Sequence, residues 1–175
     1  MDWIVEPARK TPVTADADVL VCGGGFAGVA AAVCAARQGV RVLLLERYGF
    51  LGGLVTGGLV ITTPPLDNGI NREIGERLRR KRVYAPLQNP GAEMIALKMH
   101  AIDPEVVKQE LVDMLREARV ELLLHSLIVG SIVEEGVVKG VLVENKAGRQ
   151  GRRRRWRSER ASLPRRSTSP TCGVS

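Results

Sequence analysis

Aromatic residues make up 3% of this sequence, so its 45% hydrophobic fraction is almost wholly aliphatic. That fraction over 175 residues suffices for one ordinary domain with its own core. Cysteine is scarce as well. Cys22, Cys34 and Cys172 show no CxxC or metal spacing. This argues against a zinc site and for reduced thiols in a cytoplasmic protein, with Cys22 and Cys34 buried as small apolar residues. Only two histidines are present. His125 follows an apolar run and His100 precedes a helical pattern; neither has a partner acid or cysteine that would argue for a triad or a metal centre, and both read as structural.

Negative charge is missing from one end. From Arg149 onward there are nine arginines and a single glutamate, which puts +8 in that segment. The net charge of +7 therefore leaves −1 for the rest, a near-neutral domain with a basic tail. No part of the first 148 residues carries the basic footprint of a nucleic-acid binder, and a nucleic-acid partner is not expected.

The run Val19–Ala36 lacks charge altogether and only just reaches the length of a membrane-spanning helix. Three consecutive glycines, Gly23–Gly25, would weaken such a helix at its start. Asp18 before the run and Gly39 after it fit strand, turn and helix better. Asp18–Cys22 reads as a short, fully buried strand, residues 27–38 as an alanine-rich helix with Gly39 past its end, and Val40–Leu45 as a second buried strand. No membrane association is expected.

Between the first strand and the helix stand Gly23, Gly25 and Gly28, spaced GxGxxG, and Glu46 follows at the end of the second strand. Each residue type has a mechanical reason. Gly23 allows the tight turn, Gly25 lets a pyrophosphate approach the backbone, and Gly28 lets the helix lie close on the sheet. The helix start offers unpaired N–H groups and a partial positive charge to phosphates. Glu46 can accept from ribose hydroxyls and would repel a 2′-phosphate, which disfavours NADP.

The segments Glu6–Val13, Asp18–Gly28 and Leu45–Gly53 resemble the bacterial FAD-dependent oxidoreductase family, within the wider glutathione-reductase-like flavoprotein class. The similarity runs from about Ile4 to Gln150; Phe26 replaces a proline common in that family. The resemblance implies an α/β, Rossmann-like three-layer domain with a parallel sheet and an antiparallel β-meander, truncated relative to the family. It implies FAD as cofactor and a flavin-mediated transfer of hydride or electrons with a small-molecule substrate. By it, Gly23, Gly25, Ala27 and Gly28 line the FAD pyrophosphate, Glu46 holds the adenosine ribose, and Arg47 lies at the adenine end. Gly52, Gly53 and Thr56 run along the pyrophosphate toward the flavin, and Val129 meets the adenine through its backbone. From the residues alone, Val129 reads equally as strand core and the 49–58 segment as a glycine-rich surface loop. Relatives that bind FAD covalently use a histidine shortly before a Gly-Gly pair; residues 47–51 contain none, so non-covalent FAD is implied.

Downstream, Ile70, Ile74 and Leu78 mark a helix over 70–82, whose basic run from Arg77 reads as a solvated face. Residues 83–102 show no clean period, and the resemblance places substrate specificity there. Asp103-Pro104-Glu105 starts a further helix. Then come a strand over 120–124, a hairpin of 128–133 and 137–143 turning at Glu135-Gly136, and another turn over 145–148. From Gly151 periodicity stops. The composition of 151–175 predicts a disordered basic tail. In the family an apolar strand with an Ala-Thr-Gly-Asp type motif follows here, so out-of-frame sequence after Gln150 is a further expectation. An unpaired sheet edge would result. Two alternatives stand beside the flavoenzyme: an NAD-using thiazole synthase-like protein, and a non-catalytic nucleotide-binding fragment with a basic tail. The substrate, the catalytic residues and the oligomeric state are not specified by the sequence.

Overall fold

The computed structural model describes residues 2–5, 7–87 and 98–154. Predicted features of 155–175, most of the basic tail, lie outside the described residues, as does the middle of the 83–102 segment.

The chain builds three layers. The central layer is a parallel sheet in the order β2 (Val19–Cys22), β3 (Val42–Leu45) and β7 (Glu121–Leu123). Helices α1 (Phe26–Arg37), α2 (Gly69–Arg80) and α3 (Pro104–Glu117) pack on one another and cover one face. On the other face lies a second sheet, ordered β1 (Val13–Ala17), β10 (Gly148–Arg154), β9 (Val137–Asn145) and β8 (Leu127–Glu134). A small antiparallel sheet is ordered β4 (Thr62–Thr63), β6 (His100–Ile102) and β5 (Tyr84–Pro86), with β5 packed against α2.

Strand β3 shows why the layers form. Its side chains alternate between faces, and all four are buried. Val42 and Leu44 enter the larger core with Val29, Val33, Leu111 and Met114, while Leu43 and Leu45 join Ala17 and Val143 under the second sheet. The expected α/β Rossmann-like architecture with its meander is thus observed. The charge-free run resolves into strand, turn and a helix of 12 residues, and no helix among the described residues is long and apolar enough to cross a membrane.

Four readings need correction. Strand β2 is not fully buried: Val19, Leu20 and Val21 are half-buried and Cys22 is exposed, because β2 is the edge of its sheet and has β3 as its neighbour on one side only. Cys22, at the end of that strand, is exposed and Cys34, on α1, is half-buried, so neither is a core residue. The basic run of α2 is not simply solvated: the Arg77 side chain is 14% exposed and pairs with Glu73, Glu110 and Glu117, and Arg79 lies over the Tyr84 ring at 4.7 Å. Finally, order does not stop at Gln150. Gly151–Arg154 continue β10, paired in parallel with β1 and antiparallel with β9.

Helix ends follow capping chemistry. Asp103 caps α3, its Oδ1 accepting from the N–H of Glu105 at 2.8 Å and of Val106 at 3.3 Å. Helices α2 and α3 close with Arg82 and Arg119 in the left-handed region, and Val83 and Val120 donate back to Leu78 and Leu115.

Candidate functional site

The site lies where β2 and β3 end and α1 begins. Gly23 leaves β2 with φ +105°, a conformation side chains resist, and its N–H donates to Leu45 O at 2.8 Å. The turn then feeds directly into α1. No side chain caps that helix: Gly25 stands at the N-cap, and the first turn holds no acidic residue. The leading N–H groups of α1, Ala27's among them, have no partner within the helix. A Cβ on Gly28 would sit 1.9 Å from Gly23 O, so the helix can approach the turn only because residue 28 has no side chain. A Cβ on Gly25 would meet nothing nearer than Gly53 Cα at 4.0 Å. The seat in front of the helix is therefore free of side chains on the Gly25 side.

A second loop closes against the first. Gly52 N–H donates to Gly24 O at 2.8 Å, and Gly25 and Gly52 form a parallel bridge. Gly53 adopts φ +57°, and its own Cβ position lies 3.2 Å from Gly25 Cα. Backbone thus meets backbone across this contact, and it is the Gly53 side that has no room for a side chain.

Glu46 is the charged centre. It is 7% exposed, yet among the described residues no cation pairs with its carboxylate; instead Oε2 accepts from Gly24 N–H at 2.6 Å and Oε1 from Tyr48 N–H at 2.8 Å. Each carboxylate oxygen carries about two acceptor sites. One is used on each oxygen, which leaves a pair of acceptors on a rigidly held carboxylate. Its backbone is fixed too: Glu46 N–H donates to Leu123 O and its carbonyl accepts from Ser126 N–H, both at 2.9 Å. A crevice of about 370 Å³ opens beside it, lined by Gly23, Glu46, Arg47, Gly53 and residues 126–128 among others.

The structure thus gathers Gly23, Gly25, Ala27, Gly28, Glu46, Arg47, Gly52 and Gly53 around one turn and its crevice. Thr56 is placed otherwise. It is 2% exposed, and its hydroxyl donates to Leu51 O at 2.6 Å, so it braces the loop from inside rather than facing the crevice. Val129 sits just beyond the crevice, at a bulge of β8 where the pairing skips from Ile128 to Gly130. Its side chain is 38% exposed, so it is not strand core. Sequence reasoning missed Tyr48, Ser126, Leu127, Ile128 and Cys22 as crevice residues. Tyr48 and Cys22 could have been found from their places two residues past Glu46 and just before Gly23; Ser126, Leu127 and Ile128 are brought in at the end of β7 and the start of β8, over 75 residues away in sequence.

Residues 18–154 match the family model described as FAD dependent oxidoreductase. The chain belongs to that family. Among curated relatives, urocanate reductase of Eggerthella lenta is 46% identical over 103 residues, which are 58% of this chain and 15% of that protein. The tRNA uridine 5-carboxymethylaminomethyl modification enzyme MnmG of Lactiplantibacillus plantarum is 31% identical over 142 residues, 75% of this chain and 22% of that enzyme. Among solved structures, a geranylgeranyl bacteriochlorophyll reductase-like protein of Thermoplasma acidophilum superposes with a TM-score of 0.59 at 22% identity, covering 79% of this chain and 37% of that one. This likeness shows the fold. The chain spans between 10% and 22% of the length of the curated relatives it matches.

Proposed function

We propose that this chain is the nucleotide-gripping portion of a flavin-dependent oxidoreductase, and that it holds the ADP half of FAD without a covalent bond. The observation that carries this is the Glu46 carboxylate, buried and fastened by two backbone N–H groups, with an acceptor left on each oxygen beside an uncapped helix start. Two adjacent hydroxyls of a ribose match that pair of acceptors. The uncapped start of α1 and the open Gly25 side suit a diphosphate. A nucleoside bearing a 2′-phosphate would set anion against anion at Glu46.

In this reading Gly23, Gly25, Ala27 and Gly28 bind the pyrophosphate through backbone, and Glu46 the ribose. Arg47 and the backbone of Val129 serve the adenine end, while Gly52 and Gly53 shape the path toward the ring. Thr56 belongs to the same site as a brace. When bound, the flavin supplies hydride or electron-pair transfer with a small-molecule substrate, whose identity the whole protein determines. This chain's residues bind and orient. No catalytic residue is assigned among them. The cytoplasm, where thiols stay reduced, is the proposed location. No membrane partner and no nucleic acid enter the reading.

The domain division is part of the proposal. The nucleotide-binding domain occupies 1–150 and is extended by β10 to Arg154; the basic remainder is assigned apart from it. The Arg152 Nε is buried without a hydrogen-bond partner, which supports the idea that arginine is foreign to this strand and that the reading frame is lost near Gln150. The gene sequence tests that idea: a shifted frame after codon 150 should encode an apolar strand with a Thr-Gly, and a frame lacking one rejects it.

The test of function is purification of the chain. A yellow preparation that releases free FAD on denaturation is expected, or a colourless one that takes up added FAD. A colourless chain that does not bind FAD contradicts the proposal.

A further inference from the structure

Ser126 joins the crevice lining from the connection between β7 and β8, yet it is only 1% exposed. Its main chain and its side chain hold different groups. The N–H donates to Glu46 O at 2.9 Å and so fixes the backbone that carries the carboxylate. The hydroxyl donates to Leu124 O at 3.1 Å and accepts from Asn145 Nδ2 at 3.3 Å. Asn145 is the last residue of β9 and is not among the residues that line the crevice. One chain of bonds therefore runs from the turn between β9 and β10, through Asn145 and Ser126, to Glu46. Leu127 and Glu144 pair directly beside it, so the link is continuous with the strand ladder.

Asn145 also has a local duty. Its Oδ1 accepts from Ala147 N–H at 2.9 Å, which shapes the turn between the two strands. An aspartate would make that bond as well. What asparagine adds is the side-chain NH₂, and here that group is spent on Ser126. A hydroxyl as buried as that of Ser126 takes its partners from within the protein. Its proton goes to Leu124 O and its lone pair to Asn145, so the side chain is held in one orientation. This happens where the chain leaves the parallel sheet for the second sheet, one peptide from the bond to Glu46.

We propose that Asn145 is a positioning residue for the nucleotide: through the Ser126 hydroxyl it sets the place of the Glu46 carboxylate, and the turn of the second sheet thereby controls affinity in a crevice that it does not line. The inference rests on the nucleotide reading above and deepens it. Loss of the Asn145 donor should weaken ADP by about threefold to tenfold, the scale of one neutral hydrogen bond.

The test is a double-mutant cycle on the full chain, with ADP affinity read by titration calorimetry and stability by urea denaturation. Asn145→Asp keeps the acceptor for Ala147 and removes only the donor to Ser126. It should weaken ADP by about threefold to tenfold while the urea midpoint stays near that of the wild type. Asn145→Ala, which also loses the turn bond, should be less stable but no weaker for ADP than Asn145→Asp. In a Ser126→Ala background, Asn145→Asp should cost no further affinity, and the same holds in a Glu46→Gln background. Undiminished weakening in those backgrounds overturns the inference, because the new charge would then act on ADP directly. Unchanged ADP affinity in Asn145→Asp also overturns it and leaves the nucleotide reading standing. Wild-type chain that binds no ADP overturns the nucleotide reading and this inference with it.

Discussion

Glu46 concentrates the argument at the scale of single residues. An ionised carboxylate that accepts two backbone N–H bonds is held by charge-assisted hydrogen bonds. Glu46→Gln presents an N–H₂ to one of those donors and removes the charge. We expect ADP affinity to fall by about tenfold to a hundredfold, since hydrogen bonds to charged groups are worth ~1.5–3 kcal/mol; calorimetry reads this directly. Gly28→Ala is expected to act on stability instead. The 1.9 Å approach to Gly23 O forces helix and turn apart, an overpacking cost of about 1–3 kcal/mol that urea denaturation measures. Cys22 offers a third check. It is exposed and lines the crevice, and partial desolvation pushes its thiol above the usual range. In a Cys172→Ser background, labelling of Cys22 should be slow at neutral pH, accelerate as pH rises past the ordinary thiol range, and slow again when ADP fills the crevice.

Elements are where sequence and structure part company most clearly. The βαβ start was legible because its geometry is local: a strand, a turn and a helix of fixed rise put Glu46 at the strand end whatever the rest of the chain does. Asp103 was legible for the same reason, as a cap that acts over three residues. Strand β1 was not. Its partner Gly151 lies 138 positions from Val13, and the partner strand GRQGRRR has no apolar alternation to announce it. The two- and three-residue strands β4, β5 and β6 are too short for any period to show. Arg77 was misread because helical spacing marks a face and cannot say that Glu110 and Glu117 of α3 will stand opposite it. That network joins α1, α2 and α3 through Arg37–Glu73, Arg77–Glu73 and Arg77–Glu117. The guanidiniums of Arg37 and Arg77 hold the Glu73 carboxyl below its usual range, and that of Arg77 does the same for Glu117. The native pKa values are depressed, so their stabilisation is present above the unfolded carboxylate range and is lost as pH falls through the native values. Arg77→Ala should therefore lower stability at neutral pH and flatten the acid limb of a denaturation profile. Among the described ion pairs it leaves Glu110, 6% exposed, with Lys81 alone, at 3.7 Å.

At the scale of the whole molecule, the open edge of β2 matters most. The parallel sheet ends there among the described residues, and a cavity of about 390 Å³ lies beside it, lined by Val19, Leu20, Val138 and Val141 with Asp18 and Arg154 at its rim. An unpaired apolar edge invites pairing with other chains. We expect the isolated chain to associate as concentration rises, and light scattering should show it; Leu20→Lys, which puts charge on that edge, should reduce association without touching ADP affinity. The proposed nucleotide crevice opens past the carboxyl end of the same strand, where Cys22 lines both spaces, and its remaining lining comes from outside β2. The most direct measurement is equilibrium competition for FAD on the purified chain. The account predicts that ADP displaces FAD and that FMN, which has the flavin and no ADP, does not. Displacement by FMN, or failure of ADP to compete, would contradict it.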